Sequence, residues 1–281
     1  MKAPCDCCGA SAWEHLFTLS GADLGRCAEC ALHYVAGAPS GDHPEVTSAE
    51  VQLEFELQSR ERLTGYVDLA RRHAPDGPWL DVGCGAGTLI RLASERGIEA
   101  EGIELAPDRL ELARRVTGAT IHDRSLEQLA PEPGSLAAVT MIDVFSHLDS
   151  PGETLTAVHR ALAPGGVLLL HTSEVGEGAR PHHQPAWELG EHRFFLGEGT
   201  IERYAARIGY EVVDRRRVWL PDTVFTRERF RMRGRSRARD AAKRLVLHTP
   251  GAFRTLRWYM VERRQADNPI HASTIVLRKT A

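Results

Sequence analysis

The segment Leu80-Asp81-Val82-Gly83-Cys84-Gly85-Ala86-Gly87 constrains this chain more than any other. A short apolar run enters three alternating glycines, and the apolar spacing after Thr88 is that of a helix. Glycines so placed let a strand turn sharply and let a ligand approach the backbone with no Cβ in the way. In open α/β folds such a turn lies at the carboxyl end of a strand, where ligands bind. Glu104 ends the next apolar run, about twenty residues on, where a carboxylate can accept two ribose hydroxyls. The dinucleotide fingerprint Gly-x-Gly-x-x-Gly/Ala is met at Gly83 and Gly85 only, since the third glycine is Gly87 and Thr88 follows; this argues against NAD.

The alternation continues beyond the turn. Strands are expected at Trp79–Gly83, Ala100–Glu104, Ala119–His122, Leu136–Ile142, Val167–Thr172, Tyr210–Trp219 and Ser273–Arg278. Helices are expected at Thr88–Arg96, Pro107–Val116, Gly152–Ala163 (stopped by Pro164-Gly165-Gly166) and Gly199–Arg207, with one or two more between Ser48 and His73. The fold class is therefore α/β, a Rossmann-like, mostly parallel seven-stranded sheet with helices on both faces. Residues 1–37 form a small cysteine-bearing module, 38–47 a linker and 48–281 the main domain, with a basic helical insertion at about 222–267.

The chain of 281 residues has ordinary apolar and charged fractions. Its start lacks the apolar run of a signal peptide and its apolar stretches are too short to cross a bilayer, so a cytoplasmic protein is expected. Charge is uneven: Arg215 to Arg264 holds 16 basic and 4 acidic residues.

Several motifs, in order, resemble class I S-adenosylmethionine (SAM)-dependent methyltransferases. The first is Leu80 to Gly87. Gly102-Ile103-Glu104-Leu105 resembles the family's ribose-binding strand end. Asp143-Val144-Phe145-Ser146-His147-Leu148-Asp149-Ser150-Pro151 resembles its Asp-Val-Leu-Glu-His-Leu-x-x-Pro stretch. Leu162-Ala163-Pro164-Gly165-Gly166-Val167-Leu168 resembles its Leu-Lys-Pro-Gly-Gly turn. The resemblance covers about residues 78–173. It implies SAM as cofactor, with Gly83, Gly85 and the backbone between them at Cys84 lining the methionine part, Glu104 holding the ribose, and Gly87 and Leu105 as further cofactor-binding residues. Ser125 and Leu126 would meet adenine, and Ile142 and Asp143 would lie beside the sulfonium. Asp81 would order the loop, and Cys84 would be a small packing residue. Asp123-Arg124 before Ser125 departs from the usual pattern.

Five of the six cysteines precede residue 31. Cys5-x-x-Cys8 and Cys27-x-x-Cys30, eighteen residues apart, have the spacing of a structural four-cysteine zinc ribbon. Cys7 is surplus, an alternative ligand or a free thiol. A ribbon before such a core resembles both natural-product and deoxysugar methyltransferases and ribosomal RNA guanine methyltransferases.

The acceptor side is expected around His171-Thr172-Ser173-Glu174 and His182 to Phe195, where Trp187 and Phe194 could wall an apolar pocket. His192 and His147 are the candidate bases, because imidazole exchanges protons near neutral pH. His182 and His183 could instead be a metal pair or solvated loop residues. The arginine-rich stretch has three readings: a nucleic-acid groove, a membrane-surface helix, or a solvated lid whose arginines meet acidic surfaces of the same chain. The main expectation is methylation, at O, N or C, of a small-molecule acceptor in specialised metabolism, an anionic or carrier-linked one included. The alternatives are an RNA base methyltransferase and a non-catalytic SAM-binding partner protein. Against RNA, Ile142-Asp143-Val144-Phe145 stands where an Asn-Pro-Pro-Tyr-type motif would.

Overall fold

The computed structural model describes residues 4–19, 21–36, 48–180, 189, 192–218, 237–259 and 269–280. Seven strands form the central sheet: β4 (Trp79–Val82), β5 (Ala100–Ile103), β6 (Ile121–His122), β7 (Leu136–Ile142), β8 (Leu162–Val175), β10 (Tyr210–Val218) and β11 (Ile270–Lys279). Their order is β10-β11-β8-β7-β4-β5-β6, and only β11 runs antiparallel to its neighbours. The order reverses at β4, which lies between β5 and β7. A crevice at the carboxyl end of β4 follows from that reversal.

Strand alternation divides the core. Leu80, Val82, Met141, Leu168 and Leu170 point to one face, and Trp79, Ala138, Val167 and Leu169 to the other. Leu168 and Leu170 are fully buried, each stabilising the fold by about 1.5–3 kcal/mol. Helix α2 (Arg60–His73) buries Leu63, Tyr66, Val67, Leu69 and Ala70, and its last turn carries Arg71, Arg72 and His73, which suit the negative end of the helix dipole. Helix α4 (Pro107–Thr117) begins on proline and ends at Gly118 in the left-handed conformation. Further helices among the described residues are α1 (Ala49–Gln58), α3 (Thr88–Ser94), α5 (Leu126–Leu129), α6 (Pro151–Ala161) and α7 (Thr200–Ile208).

One strand differs from expectation. β8 starts at Leu162, passes through Pro164-Gly165-Gly166 and reaches Val175. The turn residues are accommodated as a register irregularity against β7 between Leu136 and Ala138. Pairing with β11 carries the strand on, Ser273 opposite Thr172 and His271 opposite Glu174. His171, Thr172 and Glu174 are buried strand residues, so the strand runs on beyond its expected end at Thr172.

The N-terminal strands β1 (Trp13–Leu19), β2 (Ala22–Cys27) and β3 (His33–Ala36) form an antiparallel sheet. Its fourth strand is β9 (Phe194–Phe195), from far along the chain. In the basic stretch, α8 (Arg237–His248) and α9 (Ala252–Arg257) are separated at Thr249-Pro250-Gly251, as the sequence suggests. Residues 219–236 and 260–268 lie outside the described residues, as do His182, His183 and Trp187. Among the described residues no helix is long and apolar enough to cross a membrane.

Candidate functional site

Gly83, Gly85 and Gly87 all have positive φ, so the loop after β4 takes a path that side chains would strain. Space demands glycine as well: a Cβ on Gly83 would overlap Val144 of the loop after β7, and one on Gly85 would overlap Glu56 Oε1. Glu104, 6% exposed, sits beside this loop. Its Oε2 accepts the Gly85 amide at 3.0 Å, its Oε1 accepts the Ala106 amide at 2.9 Å, and Arg109 Nε approaches Oε1 at 3.4 Å. The Gly-rich turn and the β5 carboxylate, found separately in the sequence, thus form one cluster.

Sequence reasoning missed Glu56. This α1 residue is 7% exposed, and its carboxylate accepts the Ala86 amide at 2.8 Å and the Thr88 amide at 3.1 Å. Gln52 donates to the same carboxylate at 2.9 Å, and the Ala49 amide ties α1 to Asp108 on α4 at 3.0 Å. No local sequence signal marks Glu56, because its burial depends on contacts with a loop about thirty residues further along the chain.

The other predicted donor-side residues are placed variously. Asp81 lies on β4 and is buried; it accepts the Thr140 hydroxyl of β7 at 2.6 Å. Burial, against the Thr140 hydrogen bond and helped by Glu56 and Glu104, pushes its carboxyl up to about 7. Its side chain therefore joins two strands. Cys84 packs with Ile90, Leu110, Ala113 and Ile121, leaving only its backbone to the loop's face. Leu105 is 61% exposed beside Glu104. Ser125 caps α5 through the Gln128 amide, in a reciprocal capping box, and the Leu126 side chain is core.

Past β7, Ile142 packs on the second core face and Asp143 is exposed, with φ of 58°. Asp143 Oδ1 lies 3.8 Å from His171 Nε2. On the other side of that ring, His171 Nδ1 meets the Tyr66 hydroxyl at 3.0 Å and the Thr274 hydroxyl at 2.9 Å. Burial lowers the imidazole's proton affinity while Asp143 opposes that effect. His147, in the short turn Phe145–His147, and His192 are brought together: their rings are 4.5 Å apart. Residues 45 positions apart in sequence thereby share one half-buried place, with Phe195 next to His192 at 6.3 Å.

Cys5, Cys8, Cys27 and Cys30 converge, their four sulfurs all within 4.8 Å of one another. Cys7 stays outside this group, its thiol 3.8 Å from the Thr200 carbonyl. Three arginines of the basic stretch meet acids of the same chain: Arg215 and Arg217 both donate to buried Glu174, Arg215 also to Glu202 at 2.6 Å, and Arg216 to Asp214. Ser273 donates to Glu174 and His271 lies 3.5 Å away. Burial opposes ionisation of Glu174, but these partners prevail and hold it down to about 2.

The methyltransferase domain family matches residues 55–215. The ubiquinone biosynthesis O-methyltransferase of Pseudomonas paraeruginosa is 35% identical over 99 residues, 33% of this chain and 43% of that protein. The chain spans less than half the length of such curated relatives. Among solved structures, phosphoethanolamine N-methyltransferase 2 of Haemonchus contortus, in complex with S-adenosyl-L-methionine, aligns with a TM-score of 0.62 at 19% identity, covering 85% of this chain and 59% of that one. Geranyl diphosphate C-methyltransferase of Streptomyces coelicolor A3(2) aligns with a TM-score of 0.55 at 16% identity, covering 85% of this chain and 86% of that one. The structural likenesses show a shared fold.

Proposed function

Because the chain belongs to the methyltransferase domain family, we propose that it transfers a methyl group from SAM to a small-molecule acceptor. The observation that carries this reading is the buried Glu104 carboxylate held against the Gly83–Gly87 loop at the carboxyl end of β4. When bound, SAM supplies the electrophile, a methyl group on a sulfonium. The protein's work is then proximity and, for a hydroxyl or acidic carbon, removal of a proton.

Glu104 accepts the ribose hydroxyls, exchanging the Gly85 amide for them. The glycines admit the methionine part at a loop where Cβ atoms would collide. Ser125 and Leu126 offer backbone to adenine, their side chains being engaged elsewhere. The acids Asp81, Glu56 and Glu104 lie near enough to influence one another and favour a cationic ligand. On the acceptor side, His147 or His192 takes the proton while the other ring supports it. The four cysteines hold structural zinc: Zn–S bonds of about 2.3 Å place tetrahedral sulfurs roughly 3.8 Å apart, which the cluster's spread accommodates.

Incubation with methyl-labelled SAM and fractionated cell extract tests the reading. Label is expected in small molecules, anionic or carrier-linked ones included. Label confined to RNA, or none at all despite SAM binding, would overturn it. Elemental analysis is expected to find one zinc per chain.

A further inference from the structure

The four-stranded N-terminal sheet is completed by β9, and the segment around β9 belongs to two sheets at once. Tyr34 and His33 of β3 pair with Phe194 and Phe195, and the Val35 amide donates to the Arg193 carbonyl at 3.0 Å. One residue later the same segment meets the central sheet: Leu196 bridges to Glu174, with the Val175 amide on the Leu196 carbonyl at 2.7 Å. Gly197 then passes so close to the Ala31 carbonyl, next to Cys30, that a Cβ would overlap it.

The cysteine knuckles are clamped to the main domain from the other side. Asp6, between Cys5 and Cys7, accepts the Gly152 amide at 2.7 Å, the Ser150 hydroxyl at 2.8 Å and the Tyr204 hydroxyl. The Thr200 hydroxyl donates to the Cys30 carbonyl at 2.8 Å.

Arg193 stands where these elements meet. It is 5% exposed. Its amide donates to the Ser146 carbonyl at 2.7 Å, its guanidinium donates to the His147 carbonyl at 2.9 Å, and it pairs with Asp149 at 2.6 Å. Its own carbonyl belongs to β3, as above. One residue therefore binds the cysteine-bearing sheet to the turn that carries His147, and it is the chain neighbour of His192. The hydrogen bonds and the ion pair of Glu104, Glu56 and the Gly85–Thr88 amides engage α1, α4 and the segments after β4 and β5, and none of them engages a residue of this staple; the nearest approach is Gly83 against Val144, beside the His147 turn.

We infer that the four-cysteine site governs the acceptor side of the pocket and leaves the donor side alone, with Arg193 as the positioning residue that transmits its hold to the His147–His192 pair. The metal fixes Cys27 and Cys30, which bound the turn between β2 and β3. That turn sets the edge of β3, β3 registers β9, and Arg193 carries the register to His147. The assignment of these histidines to the acceptor side, and of zinc to the cysteines, rests on the reading proposed above; the staple through Arg193 does not.

The test uses the full zinc-loaded chain, the same chain after chelation with metal loss verified, and the variants Arg193→Ala and Arg193→Lys. Donor binding is read by calorimetry with S-adenosylhomocysteine, local order by amide hydrogen exchange, and the histidines by their imidazole NMR signals. Chelation is expected to speed exchange at 193–196 and 145–148 by about tenfold or more, as local opening does, with the S-adenosylhomocysteine Kd unchanged within about twofold. Arg193→Ala is expected to displace the His147 and His192 signals while zinc content holds, and Arg193→Lys to restore them in part. Unchanged exchange at 193–196 after metal loss, failure of the chain to take up zinc, or parallel loss of S-adenosylhomocysteine binding would overturn the inference. If the untreated chain binds no S-adenosylhomocysteine, the donor assignment falls, and exchange alone still decides the coupling.

Discussion

The carboxylate of Glu56 receives the amide of Thr88 at 3.1 Å, across 32 residues of sequence. Helix α3 begins after Gly87, which has no side chain with which to cap it. The cap comes instead from α1, which also takes the Ala86 amide. Glu56→Ala leaves two buried amides without their acceptor and is expected to lower stability by about 1–3 kcal/mol. Urea unfolding checks this: a lower midpoint with an unchanged slope agrees, and an unchanged midpoint contradicts it.

Asp81 makes stability and ligand affinity depend on pH. Its carboxyl is raised from 3.8 to about 7 by burial, so the folded chain holds this proton more tightly than the unfolded chain does. Its contribution favours folding most below pH 3.8, weakens as pH rises to about 7, and is level above. Asp81→Asn should remove this slope from the thermal midpoint measured over the window. A sulfonium ligand favours the ionised acid, so SAM affinity should rise as pH passes from 6 to 8 in the wild type and stay flat in Asp81→Asn. Parallel pH profiles in the two proteins would contradict the account.

Glu174 behaves in the opposite sense. Its carboxyl is held down to about 2 against an ordinary 4.5, so its stabilisation is complete above 4.5 and is lost as pH falls toward 2. Glu174→Gln leaves Arg215 and Arg217 without their shared charge. Both arginines are partly exposed, which reduces the cost to about 1–3 kcal/mol. Acid unfolding of the variant should begin at lower stability and show a shallower loss between pH 4.5 and 2 than the wild type.

What the sequence disclosed was what depends on local spacing. The strand–glycine–helix turn, Glu104, the order of strands and helices from Trp79 to Leu170, and the two cysteine pairs all carry their signal within a few residues. What it withheld depends on contacts between distant segments. Nothing near Glu56 announces that it caps another helix, and nothing near Phe194 announces that it completes the sheet begun by Trp13. The strand expected to end at Thr172 runs on because β11, about a hundred residues later, extends the pairing to Val175. The polar residues His171 and Glu174 are buried because Tyr66, Thr274, Arg215 and Arg217 arrive from elsewhere to satisfy them.

The role given to Glu104 is the claim on which the donor site stands, and calorimetric titration of the chain with SAM addresses it most directly. The account predicts one SAM bound per wild-type chain and a loss of at least about tenfold in affinity for Glu104→Ala, equal to about 1.4 kcal/mol or more, with circular dichroism showing the fold retained. Absence of binding by the wild-type chain, or equal affinity in a folded Glu104→Ala, would contradict it.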